Sequence, residues 1–144
     1  MALRVAIQMD PLESINPKSD STLMIAREAE SRGHDVFYYN PEHLTYREGS
    51  VLARGRKVTF VDTPGAFFQF GDPWHEPLHD MDVVLLRQDP PFNMTYLSTT
   101  YLLEQVMTEA LVVNNPASVR NFPEKIFPTL FKEFMPPTRL EERR

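Results

Sequence analysis

Polar residues that could bind a small molecule follow directly after two short apolar runs. Arg87 and Asp89 follow one run, and Asp10 follows another near the start of the chain. A guanidinium group matches a carboxylate through two parallel hydrogen bonds, and the Asp10 carboxylate can accept a hydrogen bond from an amine. Pro90 and Pro91 restrict the backbone next to Asp89, so this loop is held at low entropic cost. The pattern favours a site for a carboxylate-bearing ligand.

Each of these side chains also has a purely structural interpretation. Asp10 could close the preceding strand through an Asx turn. Arg87 and Asp89 could form a mutual salt bridge that holds the two prolines in a turn. The residue types alone leave both alternatives open.

The spacing of two histidines suggests a metal site, but a proline between them argues against it. His75 and His79 have the HExxH spacing, which binds zinc when both histidines lie on one face of a helix. Pro77 stands between them, and a proline inside a helix costs about 3 kcal/mol. We therefore interpret this segment as a surface loop anchored by Trp74 and predict no metal ligands here. No Ser-His-Asp arrangement is evident either, so we assign no catalytic residues.

Composition indicates one globular domain. The chain has 144 residues, 42% hydrophobic and 24% charged, which is enough for a single sizeable core. A net charge of -5 gives no argument for binding nucleic acid or an acidic membrane surface. The chain contains no cysteine, no signal-peptide pattern and no apolar run of about 18 residues. We therefore expect a cytoplasmic protein with neither disulfides nor a membrane span.

The first part of the chain predicts a strand–helix–strand unit. Residues 3–9 alternate and contain β-branched side chains, and residues 35–39 form a second such run. Between them, one of residues 19–21 caps a helix that ends at Gly33. A unit of this size implies a crossover between parallel strands.

An antiparallel insertion is predicted next. Residues 51–54 and 57–61 form a hairpin that turns at Gly55-Arg56, and residues 66–70 form an edge strand or an apolar loop. The remaining elements are a strand over 82–86, a helix over 94–109, a strand over 111–114, a short helix from Pro116, a helix over 124–134 and the start of a strand at 138–140. The predicted fold class is α/β, with an open, mainly parallel sheet flanked by helices and a small antiparallel hairpin insertion.

The segment after the last strand carries two further cations. Arg120 and Lys125 flank the predicted terminal helix, where charged side chains are usually solvated. The phenylalanines of this segment favour a core or interface role over a platform that stacks bases; they are Phe122, Phe127, Phe131 and Phe134.

Several segments together resemble the N-terminal part of prokaryotic glutathione synthetase. They occur in the family's order and span nearly the whole chain: Met-Asp-Pro at 9–11 with Ile-Asn at 15–16 and Lys-Ser-Asp-Ser at 18–21, Arg-Gln-Asp-Pro-Pro-Phe at 87–92, Thr-Tyr-Leu-Leu-Glu at 100–104, Val-Asn-Asn-Pro at 113–116 with Ser-Val-Arg at 118–120, and Glu-Lys-Ile-Phe at 124–127.

The resemblance implies a Rossmann-like pre-ATP-grasp domain over residues 1–122 and the truncated start of an ATP-grasp region over 123–144. It implies an ATP- and Mg²⁺-dependent ligase that joins γ-glutamylcysteine to glycine through an acyl phosphate, forming glutathione. Lys125 matches the family lysine that reaches the ATP phosphates, and Asp10, Arg87 and Asp89 are expected to face the dipeptide. Family members oligomerise, so a homo-oligomer is expected.

The chain departs from the family in two ways. Family members often have Lys where this chain has Gln88 and Asp where it has Asn93. These differences argue against a direct role for a charged side chain at either position. The family sequence also continues well beyond Arg144, with the magnesium carboxylates and the glycine-binding arginines. We therefore expect a fragment that is inactive by itself, and the terminal Arg143-Arg144 suits trypsin-like cleavage. Two alternatives are a stand-alone module that binds carboxylate ligands and an oligomerisation domain without catalysis.

Overall fold

The computed structural model describes residues 1–63 and 66–141. Glu142, Arg143 and Arg144, on which the expectation of a cleaved end depends, lie outside the described residues. No helix among the described residues is both long enough and apolar enough to cross a membrane. The elements in chain order are β1 (Arg4–Gln8), α1 (Ser21–Ser31), β2 (Asp35–Tyr39), β3 (Leu44–Arg47), β4 (Ser50–Thr63), β5 (Ala66–Pro77), β6 (Val83–Leu86), α2 (Met94–Val106), β7 (Leu111–Val113) and α3 (Pro116–Asn121).

A parallel frame of four strands forms one half of the sheet, in the order β2-β1-β6-β7. Parallel neighbours require crossover connections, and α1 and α2 supply two of them. The predicted α/β class with an open, mainly parallel frame flanked by helices is confirmed. The strand predicted over 82–86 begins one residue later, and the helix predicted over 94–109 ends at Val106.

The core has two layers because neighbouring residues of a strand point to opposite faces of the sheet. Ile7 packs with Leu23 of α1 in one buried cluster. Ala6 packs with Leu103 of α2 in the other. The central strand β1 is therefore covered on both faces, which explains why its three middle residues, 5–7, are all apolar.

Side-chain caps define where the helices begin. The Asp20 carboxylate accepts a hydrogen bond from the backbone N–H of Leu23 at 2.6 Å, and the Asn93 side chain accepts one from Tyr96 at 3.0 Å. Both satisfy a donor that the helix itself leaves unpaired. Gly33 follows α1 with a φ of 80°, as predicted for a helix end.

The antiparallel insertion is larger than predicted. β3, β4 and β5 pair antiparallel, and β4 also pairs antiparallel with β2 of the frame. The chain turns between β3 and β4 at Glu48 and Gly49, whose φ angles are 50° and 88°. Positive φ at both central residues is the requirement of a tight hairpin turn.

The hairpin turn predicted at Gly55-Arg56 is wrong, because both residues lie inside the single strand β4. Gly55 is needed there for space. A Cβ atom at this position would lie 2.3 Å from the carbonyl oxygen of Tyr38 and 2.5 Å from the ring of Phe37. A glycine within a strand often marks such a close approach.

The surface loop predicted around His75 is also wrong. His75 lies in β5, and His79 lies in a short 3₁₀ helix, Leu78–Asp80. The two imidazoles therefore do not share one face of a helix, as the HExxH motif requires. Trp74 does anchor this segment, since its ring centroid lies 4.8 Å from that of Phe37.

The helix predicted over 124–134 is wrong. Two 3₁₀ helices, Phe127–Leu130 and Lys132–Phe134, occupy this stretch. Pro128 lies a full turn after Glu124, where its ring conflicts with the carbonyl of that residue in an α-helix. The strand predicted at 138–140 does not form: those residues have no regular secondary structure.

Candidate functional site at the strand ends

The sheet places the two predicted loops side by side. β1 and β6 run parallel, with Gln8 paired to Leu86, so Asp10 and Arg87 leave the sheet at the same edge. The chain moves from β1 to β2 on one side, whereas β6 and β7 lie on the other. A reversal of this kind opens a crevice at the carboxyl ends of the strands, which is where open α/β sheets bind ligands.

A hydrogen bond joins the two loops. The Asp10 side chain accepts from the backbone N–H of Asp89, with 2.8 Å between Oδ2 and N. The backbone N–H of Arg87 also donates to the carbonyl of Gln8 at 2.8 Å. Asp10 thus links the neighbouring loop and does not merely close its own turn. A carboxylate has about four acceptor sites, so Asp10 can accept further hydrogen bonds.

Arg87 is held in place by neutral groups. Its Nε donates to the hydroxyl of Thr22, and its Nη2 donates to the hydroxyl of Ser21, both at 3.0 Å. Among the described residues no ion pair joins Arg87 to Asp89, so the predicted mutual salt bridge does not form. The guanidinium is therefore oriented, and no carboxylate among the described residues forms an ion pair with it. This arrangement can bind an anion.

A buried amide network lies below the loops, and sequence reasoning missed it. Gln8 is fully buried, and its Nε2 donates to Oε1 of Gln88. The Thr99 hydroxyl on α2 lies 3.3 Å from the same Gln88 oxygen. Gln88 thus supports the loop from the inside, which accounts for an uncharged residue there. The available sequence signal was the glutamine that ends β1 directly after three apolar residues.

Tyr96 forms an aromatic wall of the site, and no sequence pattern indicated it. Its ring packs against Phe92 with 5.0 Å between centroids. Burial raises the pKa of the Tyr96 hydroxyl; the charges of Asp89 and Asp10 raise it further, and that of Arg87 lowers it. All three predicted dipeptide-facing residues therefore act electrostatically on the same hydroxyl.

Lys125 does not join this cluster. Its Nζ pairs with the carboxylate of the adjacent Glu124, and both side chains are 76% exposed. Arg120, in contrast, is anchored on α2: it donates to Glu104 at 2.8 Å, and its guanidinium lies 4.0 Å from the ring centroid of Tyr101.

The resemblance implies ATP and Mg²⁺, and the described residues provide a complete site for neither. In the described part of the chain, no group of three or more His, Cys, Asp or Glu side chains is placed to bind a metal ion. These residues do not fit a magnesium site. Lys125 is a single exposed cation, which could contact a nucleotide phosphate only as part of a larger site.

Comparison with known proteins shows which family the chain is similar to. The sequence profile of the family described as prokaryotic glutathione synthetase, N-terminal domain, matches residues 3–120. The chain is 49% identical over 138 residues to the glutathione synthetase of Brucella melitensis, covering 96% of this chain and 44% of that protein. It is also 49% identical over 138 residues to the glutathione synthetase of Bradyrhizobium diazoefficiens, with the same coverage. The glutathione synthetase of Pseudomonas putida is 41% identical over 144 residues, covering 99% of this chain and 45% of that protein. The chain thus spans less than half the length of these relatives.

Proposed function

The chain belongs to the prokaryotic glutathione synthetase family, and on this premise we propose that it forms the dipeptide-binding wall of an ATP-dependent ligase. The complete protein would join γ-glutamylcysteine to glycine, using ATP and Mg²⁺. We place the boundary between the substrate domain and the ATP-grasp region after residue 122. The need for ATP supports a cytoplasmic location.

The observation that carries this proposal is the oriented, unneutralised guanidinium of Arg87 at the switch point of the sheet. We assign it to a carboxylate of the dipeptide, which it can bind through two hydrogen bonds. Asp10 accepts a hydrogen bond from an N–H group of the ligand, and Asp89 lines the same loop. The hydrogen bond between Asp10 and Asp89 supports this assignment, because it holds the loops together before a ligand arrives.

In the complete protein, ATP would supply the phosphoryl group that activates the carboxylate for attack by the amine of glycine. In this chain, Lys125 is the residue we assign to the ATP phosphates. Its exposed position leaves the ammonium group accessible. The metal ligands belong to protein outside the described residues.

The test of the proposed function is glutathione formation by the complete protein that carries this chain. Product should require γ-glutamylcysteine, glycine, ATP and Mg²⁺ together. Arg87→Gln should raise the KM for γ-glutamylcysteine about tenfold, as expected for a lost charged hydrogen bond, and leave the KM for glycine unchanged. Arg47→Gln on the exposed edge of β3 is the matched control. A complete protein that forms no glutathione would contradict the proposal.

Binding without catalysis is the rival for the isolated chain. Heat or spectral change on adding γ-glutamylcysteine, with no ligase activity in the complete protein, would favour the stand-alone module.

Assembly is supported by a separate observation, the exposed apolar side chains on β7 and in the residues after α3. They are Leu111, Val113, Phe122, Ile126, Leu130, Phe131 and Phe134. Exposed apolar side chains favour contacts with further protein where they lie together. We propose that the complete enzyme is a homo-oligomer. Light scattering of the complete protein decides this, and a strict monomer at high concentration would refute it.

A further inference from the structure

A cavity with charges of both signs lies beside the Asp10 loop, on the insertion side of the sheet. We name it the arginine cavity. It has a volume of about 210 Å³ and is lined by Glu13, Tyr38, Asn40, Arg54, Arg56 and Phe70, among others. Pockets for drug-sized ligands measure roughly 300–1,000 Å³, so this one suits a single small polar group or one end of a longer ligand.

One wall of the arginine cavity is cationic. Arg54 and Arg56 are two residues apart on β4, so their side chains lie on the same face of the sheet. The guanidinium of Arg56 lies 5.3 Å from the ring centroid of Phe70. Within the described residues neither arginine has an ion-pair partner. Two neighbouring guanidinium groups without a carboxylate partner favour an anion.

A carboxylate also lines the arginine cavity. Glu13, in the loop after β1, lines the same cavity but forms no ion pair with either arginine in the described part of the chain. Opposite charges therefore face one cavity without neutralising each other. A ligand that carries a carboxylate and an ammonium group on the same carbon complements this arrangement.

Direct contacts connect the arginine cavity to the strand-end site. The Tyr38 hydroxyl donates to the carbonyl of Asp10 at 3.4 Å and accepts from the Asn40 side chain at 2.9 Å. Asn40 also donates to the carbonyl of Met9 at 3.2 Å. The wall that Tyr38 and Asn40 form is thus shared between the cavity and the Asp10 loop.

The cavity and Arg87 also lie on the same face. Arg56 pairs with Tyr38, which packs in the core cluster of α1, and Arg87 bonds to hydroxyls of α1. Strands β4 and β6 are separated by β2 and β1, which places them roughly 14 Å apart. An extended γ-linked dipeptide is about 10 Å long, and the long side chains of Arg56 and Arg87 can cover the difference.

We propose that the arginine cavity binds the α-amino-acid end of the γ-glutamyl group: Arg54 and Arg56 bind its α-carboxylate and Glu13 binds its α-ammonium group, while Arg87 binds the cysteinyl carboxylate. This inference rests on the proposed function. It explains selection for a γ-linked glutamyl group, because an ordinary α-linked dipeptide does not present a free carboxylate and ammonium group on one carbon at this distance from its carboxyl terminus.

The test is calorimetric titration of the 144-residue chain with three ligands. γ-Glutamylcysteine carries both groups, 4-aminobutanoyl-cysteine lacks the α-carboxylate, and glutaryl-cysteine lacks the α-amino group. The unmodified chain should bind the first at least about tenfold more tightly than either analogue, as each analogue leaves charged groups unpaired. Equal affinity for all three ligands, or no binding up to millimolar concentration, would overturn the inference without relying on any variant.

Variants of the chain then test which side chain binds which charged group of the ligand. Arg54→Gln and Arg56→Gln should weaken binding of γ-glutamylcysteine about tenfold and leave 4-aminobutanoyl-cysteine unaffected. Glu13→Gln should weaken γ-glutamylcysteine but not glutaryl-cysteine. Arg47→Gln removes the same charge outside the cavity and should change neither. If the two arginine variants bind like the unmodified chain while the complete protein forms glutathione, the inference fails and the proposed function stands. If binding depends on the two arginines but the complete protein forms no glutathione, the cavity assignment stands and the proposed ligase function is refuted.

Discussion

The strand-end site and the terminal segment, residues 122–141, are built in opposite ways. At the strand ends, hydrogen bonds join residues that are far apart in sequence, such as Asp10 with Asp89 and Arg87 with Thr22. In the described terminal segment, hydrogen bonds connect residues no more than four positions apart, as between Phe127 and Pro123. The first region is held by the sheet, and the second only by its own turns.

This difference matches the division of the proposed function into dipeptide binding and ATP binding. Groups assigned to the dipeptide lie on β1, β6 and their loops, so their geometry exists before ligand binds. Lys125, assigned to ATP, pairs with its neighbour Glu124 and contacts neither Asp10 nor Arg87 in the structure. We therefore expect substitutions at the strand ends to alter folding and dipeptide binding, and substitutions in the terminal segment to alter ATP use or assembly but not folding.

The largest expected effect compares the same substitution in both regions. Leu103 is fully buried and Leu130 is 72% exposed. Leu103→Ala should lower the free energy of unfolding by about 3 kcal/mol through lost burial and a cavity, whereas Leu130→Ala should change it by less than about 0.5 kcal/mol. Urea unfolding of the chain measures both. Similar losses for the two variants would mean that the terminal segment is packed, and the comparison would fail.

A second substitution tests the close packing of the insertion against the frame. Gly55→Ala would bring a Cβ atom to 2.3 Å from the Tyr38 carbonyl oxygen, so we expect a loss of about 2–3 kcal/mol from overpacking. Gly71→Ala is the matched control, because its Cβ would lie 3.6 Å from Cβ of Lys57, an ordinary contact. Thermal unfolding should separate them clearly; equal midpoints would show that β4 can shift away from β2.

The terminal segment should matter for ATP and little for folding. In the complete protein, Lys125→Ala should raise the KM for ATP, with a loss of about 1.5–3 kcal/mol for a charged hydrogen bond. The unfolding midpoint should not move. Glu124→Gln removes its ion-pair partner and serves as the control. Unchanged KM and kcat for ATP in Lys125→Ala would remove this residue from the nucleotide site.

A smaller effect is expected at the link between the two loops. Asp10→Ala removes the acceptor for the Asp89 N–H, which should cost about 1 kcal/mol of stability, and it should also weaken dipeptide binding. Asp10→Asn keeps an acceptor oxygen and should recover most of the stability. If both variants unfold like the original chain, the link does not hold the loops.

The smallest expected effect concerns the exposed ion pair between Lys57 and Asp35, which is of the same kind as the pair between Lys125 and Glu124. The hydrogen bond and charge of Lys57 hold the pKa of Asp35 below its ordinary value of 3.8. A lowered pKa in the folded state means that this contribution is present above about pH 4 and is lost as the pH falls through the folded value. Asp35→Asn should remove a pH-dependent component below about 1 kcal/mol, because the pair is exposed. A larger acid-dependent loss in unfolding experiments between pH 5 and 2 would show that surface pairs contribute more here than expected.

Local sequence signals predicted the parallel frame well. Asp20, Gly33 and Pro116 mark helix ends, and each signal acts through the backbone of its own neighbourhood. The strands could be predicted because each is a short run rich in apolar and β-branched residues, which is typical of buried strands. For the site, Arg87, Asp10 and Asp89 could be placed at one edge because strand polarity alone determines where they leave the sheet.

Features that depend on distant partners were not predictable in this way. Gly55 is a residue type typical of turns, but its role in β4 is to leave space for the ring of Phe37, a partner that is distant in sequence. Arg87 has an acidic neighbour two residues away, but it bonds instead to hydroxyls on α1, more than sixty positions earlier. Pro128 lies within the predicted helix over 124–134, and the clash of its ring with the preceding turn excludes an α-helix there.

The most direct test of the account is to map where γ-glutamylcysteine binds. Backbone amide NMR signals of the 144-residue chain should be followed during titration with the dipeptide, without ATP. We predict shifts at Asp10 and at residues 87–89, with residues 123–134 unchanged. Shifts confined to the terminal segment, or none up to millimolar dipeptide, would contradict the claim that the strand ends form the dipeptide site.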